Sequence, residues 1–171
     1  MKDWIISLIS GLCGAMVGAV VSVYITHEQL DFSYKIETLK LARELTQQFY
    51  QGNDIYKEIR VSVDKCETLY KNWGGKYTYD QINQYLGFFD DIGFYEKNKI
   101  LDNKIIDQLF GAHILEAYEK AELRKYIDDL RRNNNQPQAF EEFDALAKKL
   151  EEIPERKELV ENIRRKPCPM K

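Results

Sequence analysis

The residues best suited to chemistry lie in "DDLRRNNNQPQ", residues 128–138, where two arginines close a helix, asparagines follow and a proline prepares the next one. The guanidinium forks of Arg131 and Arg132, the amide of Asn133 and the N–H donors of a new helix start together suit a phosphate. The same arginines also answer the negative end of the helix they close. Other candidates are thinner. The acid pairs Asp90-Asp91, Asp128-Asp129 and Glu141-Glu142 resemble metal ligands, but neighbours on a helix point about 100° apart, so one of each pair faces solvent. His113, in "FGAHILEAYEK", stands at a predicted helix start without a nucleophile motif nearby, and His27 stands beside Glu28. Cys13, Cys66 and Cys168 are odd in number and far apart. They show no metal-ligand spacing, and they fit a reducing compartment with no disulfide framework. No metal and no cofactor is predicted.

Helices have to position these groups. Ile36, Leu39, Ala42, Leu45 and Phe49 recur at three and four, the amphipathic spacing, and "QGND" at 51–54 ends that helix. Ile55, Ile59, Cys66, Leu69 and Trp73 predict a further helix face, closed by Gly74-Gly75. The aromatic set "YKNWGGKYTYD" reads as core and loop packing. Thr78 and Gln81 have capping-box spacing for a helix carrying Ile82, Tyr85, Leu86, Phe89 and Ile92, with Gly87 and Gly93 placed for close packing. Asp102 caps a short helix that ends at Gly111, and a longer helix follows with Ile114, Leu115, Tyr118, Tyr126, Ile127 and Leu130. Pro137 suits the first turn of a last core helix with Phe140, Phe143, Leu146, Ala147 and Leu150. No alternating strand pattern occurs. The domain is expected to be all-α.

The chain has 171 residues, 28 acidic and 25 basic, and a net charge of −3, so composition exerts no overall pull on nucleic acid. Trp4 to Thr26 carries no charge, and as a helix it would be about 34 Å long, enough to cross a bilayer. Val17-Gly18-Ala19 resembles a signal-peptide cleavage site, but the apolar run continues past it to Ile25. A single transmembrane helix is therefore expected. Lys2 precedes it, while Lys35, Lys40 and Arg43 follow, which places the C-terminal part in the cytoplasm. The expected organisation is a transmembrane helix at 1–26, a juxtamembrane helix at 27–52, a cytoplasmic helical bundle at 53–153 and a charged tail at 154–171. Ser7, Gly11, Gly14, Gly18 and Ser22 share one side of the span, and Gly11, Ala15, Gly18 and Ser22 form an adjoining seam. Small residues let helix backbones approach in lipid. Two such faces allow a neighbour on each side, which is how a ring-shaped homo-oligomer is built; for a pore, Ser7, Ser10, Ser22 and Thr26 give only a thin polar track, which packing explains at least as well.

An N-terminal span, a small helical domain, the stretch "INQYLGFFDDIGFYEKNKILDNKIIDQLFGAHILEAYEK" and an Arg-Arg-Asn at a helix break together resemble the membrane-anchored accessory protein of type VI-B, RNA-targeting CRISPR systems. The soluble part of that family is similar to a divergent HEPN helical bundle. The resemblance implies a bacterial inner-membrane protein that assembles as a ring in the lipid bilayer. It would strengthen antiphage defence by depolarising the membrane once an RNA-guided effector has found its target. HEPN ribonucleases place an Arg, a polar residue and then a His four to six positions beyond the Arg. Arg132 and Asn133 match the first half, but Gln136, Pro137, Gln138 and Ala139 fill the window, and no His follows Arg131 anywhere. General acid–base help worth roughly 100- to 10,000-fold is then missing, so the chain is expected not to be an enzyme. RNA binding at Arg131 to Asn133 stays open. A membrane-tethered ribonuclease and a membrane-anchored interaction scaffold are the alternatives.

Overall fold

The computed structural model describes residues 29–165 except 31, 53 and 134. The chain divides into two units, residues 1–41 and 42–171. What is described of the first is helical, with Leu30, Phe32 and Leu39 exposing 65%, 67% and 62% of their surface. In the second unit, helical backbone over 42–47, here α1, passes into a π-type turn at Gln48–Gly52. The helices that follow are α2 (Asp54–Asp64), α3 (Tyr79–Lys97), α4 (Asn103–Glu119), α5 (Ala121–Asn133), α6 (Glu141–Glu151) and α7 (Lys157–Arg165). Short 3-10 turns lie at Lys71–Trp73 and Pro154–Arg156. Among the described residues the only β feature is an isolated bridge between Tyr70 and Tyr77.

Local chemistry explains where the long helices begin. Thr78 and Gln81 form a full capping box on α3: the Thr78 N–H donates to Gln81 Oε1 at 2.9 Å and the Gln81 N–H to Thr78 Oγ1 at 3.4 Å. At α4, Asp102 Oδ1 accepts from the Lys104 N–H at 2.7 Å. Helix α6 has no such local cap, because Phe140 stands before it at φ 56° with no side chain able to accept. Its cap comes from another helix. Asp90, on α3, accepts from the Phe143 N–H at 2.9 Å.

The core of the second unit is built around α3 and α6, which pack most closely of all; α4 packs on α6 and carries α7, and α2 rests on α3 and α4. Gly93 sits where α3 and α6 meet, and a methyl group there would collide with the Glu142 carbonyl. Phe49, fully buried by the π-type turn, stacks on Phe88 with ring centres 5.0 Å apart and meets Phe110 edge-on at 5.7 Å. Phe89 and Phe143 extend the aromatic layer at 5.8 Å.

Burial pushes the Asp90 carboxyl above its ordinary range, against the pull of the Phe143 and Glu142 N–H groups. A carboxyl raised on folding contributes stability that is complete below its unfolded value, near pH 4, and is lost as pH rises through the folded value. Asp90→Asn keeps an oxygen for Phe143 and removes the titration. Its urea midpoint should fall less than that of the wild type between about pH 4 and pH 7. Equal slopes for the two proteins would show that Asp90 does not carry this dependence.

Four expectations need correction. Helix α4 runs unbroken through Gly111, and the break comes at Lys120, whose backbone is extended at ψ 106°. Gly111 leaves room for a side chain from elsewhere: Arg156 Nε donates to Asp107 Oδ1 at 2.7 Å, and a methyl group at 111 would strike that Asp107 oxygen. Helix α2 ends at Asp64, before Cys66 and Leu69. Pro137 lies in the turn ahead of α6, whose first residue is Glu141. Finally, no helix among the described residues is long and apolar enough to cross a membrane. From Ala42 onward most of the large apolar side chains are buried in the core. The fold class is thus corrected from a transmembrane helix plus bundle to an all-helical domain. The single-pass inner-membrane location and the pore fall with it. The run from 4 to 26, with Ser7, Gly11, Gly14, Ala15, Gly18 and Ser22, lies outside the described residues, as does His27.

Candidate functional site

The segment between α2 and α3 holds one wall of the site, and a buried acid fixes it. Glu122, on the first turn of α5, is 8% exposed. Its carboxylate accepts from the Leu69 N–H at 2.9 and 3.0 Å and from the Tyr70 N–H at 2.8 Å. Beside it the buried Lys120 Nζ donates to the Glu67 carbonyl at 3.0 Å. Burial holds the Lys120 ammonium below its ordinary pKa, against the attraction of Glu122 and Glu67. Tyr70 and Trp73 then pack edge-on at 5.1 Å, and Lys125 Nζ lies 4.5 Å from the Trp73 ring centre. The aromatic set is packing, held by charge from α5.

Behind this wall opens a cleft of about 580 Å³ between the end of α2, the α4–α5 corner and α7. Asp64, Cys66, Glu116, Lys120, Arg124 and Arg164 are among its lining residues. Arg164 joins two helices across it, donating from Nη2 to Glu119 and to Glu151, each at 2.6 Å, and from Nε to Glu119 at 2.9 Å. Burial opposes ionisation of Glu119, yet Arg164 holds its carboxyl below the usual range. Glu151 is pushed up, by burial and then by its hydrogen bond to Glu119. Asp64, on the rim, is raised by burial and by the charge of Glu116. Glu116 itself meets His113 Nδ1 at 3.1 Å.

His113 lies within α4, with its ring against Phe49 at 5.5 Å and Tyr50 at 5.9 Å. Facing the same rings is Arg60, whose guanidinium carbon stands 4.6 Å from the centres of both Phe49 and Tyr50. Its Nη1 is buried without a hydrogen-bond partner. Spacing gave no sign of this residue, since a cation on a half-buried face looks solvated until the rings fold over it.

The motif arginines part company. Arg131 turns back on its own chain: Nε and Nη2 donate to the Ala139 carbonyl at 2.9 and 2.7 Å, Nη2 also to Phe140 at 3.3 Å, and Nη1 to Asp144 at 2.7 Å. It pins the 135–140 turn to the start of α6. Arg132 and Asn133 are exposed. Glu141, Glu142 and Asp144 crowd the first turn of α6, so the charge there is negative. Among the described residues no group of three or more His, Cys, Asp or Glu is placed to hold a metal ion. The expectation of cysteines without disulfides is corrected at one position: Cys66, at φ 57°, is disulfide-bonded, and its partner lies outside the described residues. Glu122 is a buried carboxylate that the sequence analysis did not single out. Its spacing of four from Tyr126 puts a charge on the apolar stripe of α5, which is the signal that something must receive it.

Amphipathic helices closed around an aromatic core, with their charged groups paired across a cleft, define an all-helical domain protein. The chain belongs to the family described as "Domain of unknown function (DUF4760)", which it matches over residues 12–150. No curated protein and no solved structure matches it.

Proposed function

We propose that this chain is a non-enzymatic interaction module that works by assembling with copies of itself and with a larger partner. The resemblance drawn from its sequence suggests the partner's class, an RNA-guided effector of antiviral defence. The observation that carries the reading is the missing proton shuttle: Arg132 and Asn133, the pair that matches the HEPN pattern, are exposed, yet no His follows them, and the neighbouring Arg131 is committed to Ala139, Phe140 and Asp144. Leu30, Phe32 and Leu39 support the assembly half of the reading, because large apolar side chains on one exposed helical segment mark contact surfaces.

Purified full-length protein tests both halves. It should leave single-stranded RNA intact with or without magnesium, and it should sediment as a particle larger than the 20.2 kDa chain. Arg131→Ala should lower the melting temperature by several degrees, since a partly buried charged hydrogen-bond set is worth about 1.5–3 kcal/mol. RNA cleavage that disappears in Arg132→Ala while the melting temperature stays at the wild-type value would reverse the reading in favour of an enzyme. A monomer throughout the micromolar range would remove self-assembly from it.

A further inference from the structure

We infer that the face of α4 from Asp107 to Glu119 is a docking groove for an arginine-bearing amphipathic helix of a partner protein, with α7 as its exchangeable occupant. The groove rests on the interaction-module reading and gives its partner a recognition chemistry. What it accepts is visible in the helix it now holds. At one end Arg156, in the turn that leads into α7, donates from Nε to Asp107 Oδ1 at 2.7 Å and from Nη2 to the Asp107 carbonyl at 2.8 Å. Gly111 leaves that guanidinium its room, since a methyl group there would stand 3.4 Å from Nη2. At the other end Arg164 donates from Nη2 to Glu119 on α4 and to Glu151 at the end of α6, at 2.6 Å each. Between the two arginines, Val160 is the residue that α7 buries. Arginines about two helical turns apart, with an aliphatic contact between them, are thus what the groove recognises.

Three features make the occupant exchangeable. A helix that buries one side chain gains little of the apolar burial that fixes α3 and α6. Its clasp is ionic, and the Arg164 side chain is 54% exposed, so salt screens the outer end. Glu152 and Ile153 alone join α6 to the turn Pro154–Arg156, so a rotation at those two residues carries both arginines away together. The family match includes α4 and ends at residue 150, which leaves α7 beyond it.

When α7 leaves, Asp107, Glu119 and Glu151 lose their arginines in one step. A partner helix with arginines at the same spacing restores those pairs. While α7 stays tethered it competes at an effective concentration of about a millimolar. The partner's apparent affinity is reduced by the fraction of time that the groove is closed, so α7 keeps weakly bound basic helices out.

Hydrogen exchange of the full-length protein, compared at about 50 mM and about 1 M NaCl, gives the first readout. The amides of α7 should exchange about tenfold faster in high salt, while those of α3, held by apolar packing, should change by less than about twofold. The second readout is the fluorescence anisotropy of a labelled synthetic peptide with the sequence of residues 153–165. A full-length variant carrying Arg156→Gln and Arg164→Gln should bind this peptide about tenfold more tightly than the wild type does, because its own α7 no longer closes the groove. Adding Glu119→Gln to that variant should remove most of the gain. Amides of α7 as slow as those of α3 in both salts, a peptide bound equally by wild type and variant or by neither, or a gain that survives Glu119→Gln would each overturn the inference. The exchange readout needs no variant, so it decides even where the substituted chain fails to fold. None of these results bears on RNA cleavage or sedimentation, so the interaction-module reading and this groove can fail separately.

Discussion

Glu122→Ala is expected to lower the melting temperature by roughly 5–15 °C, read by circular dichroism on the full chain. The carboxylate is the acceptor for the Leu69 and Tyr70 N–H groups. Removing it strands the buried Leu69 donor at about 1–3 kcal/mol and leaves the half-buried Tyr70 donor unpaired as well, more than the modest net worth of a hydrogen bond between satisfied groups. Glu122→Gln keeps the shape and one oxygen and should fall between the two proteins. The loss should be local before it is global: with the 65–77 segment released, Trp73 fluorescence should change at temperatures where helical signal persists. A melting temperature within about 2 °C of the wild type would mean that water serves the two N–H groups as well as Glu122 does.

Phe49→Ala should cost about 3–5 kcal/mol and lower the urea midpoint by about 1–3 M. Phe49 is fully buried and lies at the centre of the aromatic layer, against Phe88, Phe110 and the Arg60 guanidinium. Truncation leaves a cavity and also takes away the face that covers a buried cation whose Nη1 has no partner. Leu39→Ala is the control, since Leu39 is 62% exposed and its loss should stay within about 0.5 kcal/mol. If the two variants unfold together, the π-type turn does not deliver Phe49 to a packed core.

Sequence made the local part of this fold legible and hid the remote part. The capping box at Thr78 and Gln81 and the cap at Asp102 are contacts within three residues, so spacing alone exposes them. Asp90 caps α6 from 53 residues away, and Glu122 grips Leu69 across the same number. No window along the chain contains both partners. Gly111 illustrates the cost of reading locally: glycine weakens a helix, so it looks like a stop. Here the missing side chain is filled by Arg156, which only tertiary packing brings there. Arg131 likewise looks like a ligand-binding fork until the turn after it closes and supplies carbonyls for it to hold. The uncharged run near the N-terminus dominated the reading of location, yet no helix among the described residues is long and apolar enough to cross a membrane.

The closest helix pair, α3 with α6, is separated in the chain by the whole of α4 and α5. During synthesis, then, α3 leaves the ribosome with its apolar face uncovered and must wait until α4, α5 and α6 have all followed it before this core can close. A nascent chain that stalls in α4 or α5 presents Phe88, Phe89 and Ile92 without the Phe143 side of the core, which makes the unfinished protein a natural client for chaperones.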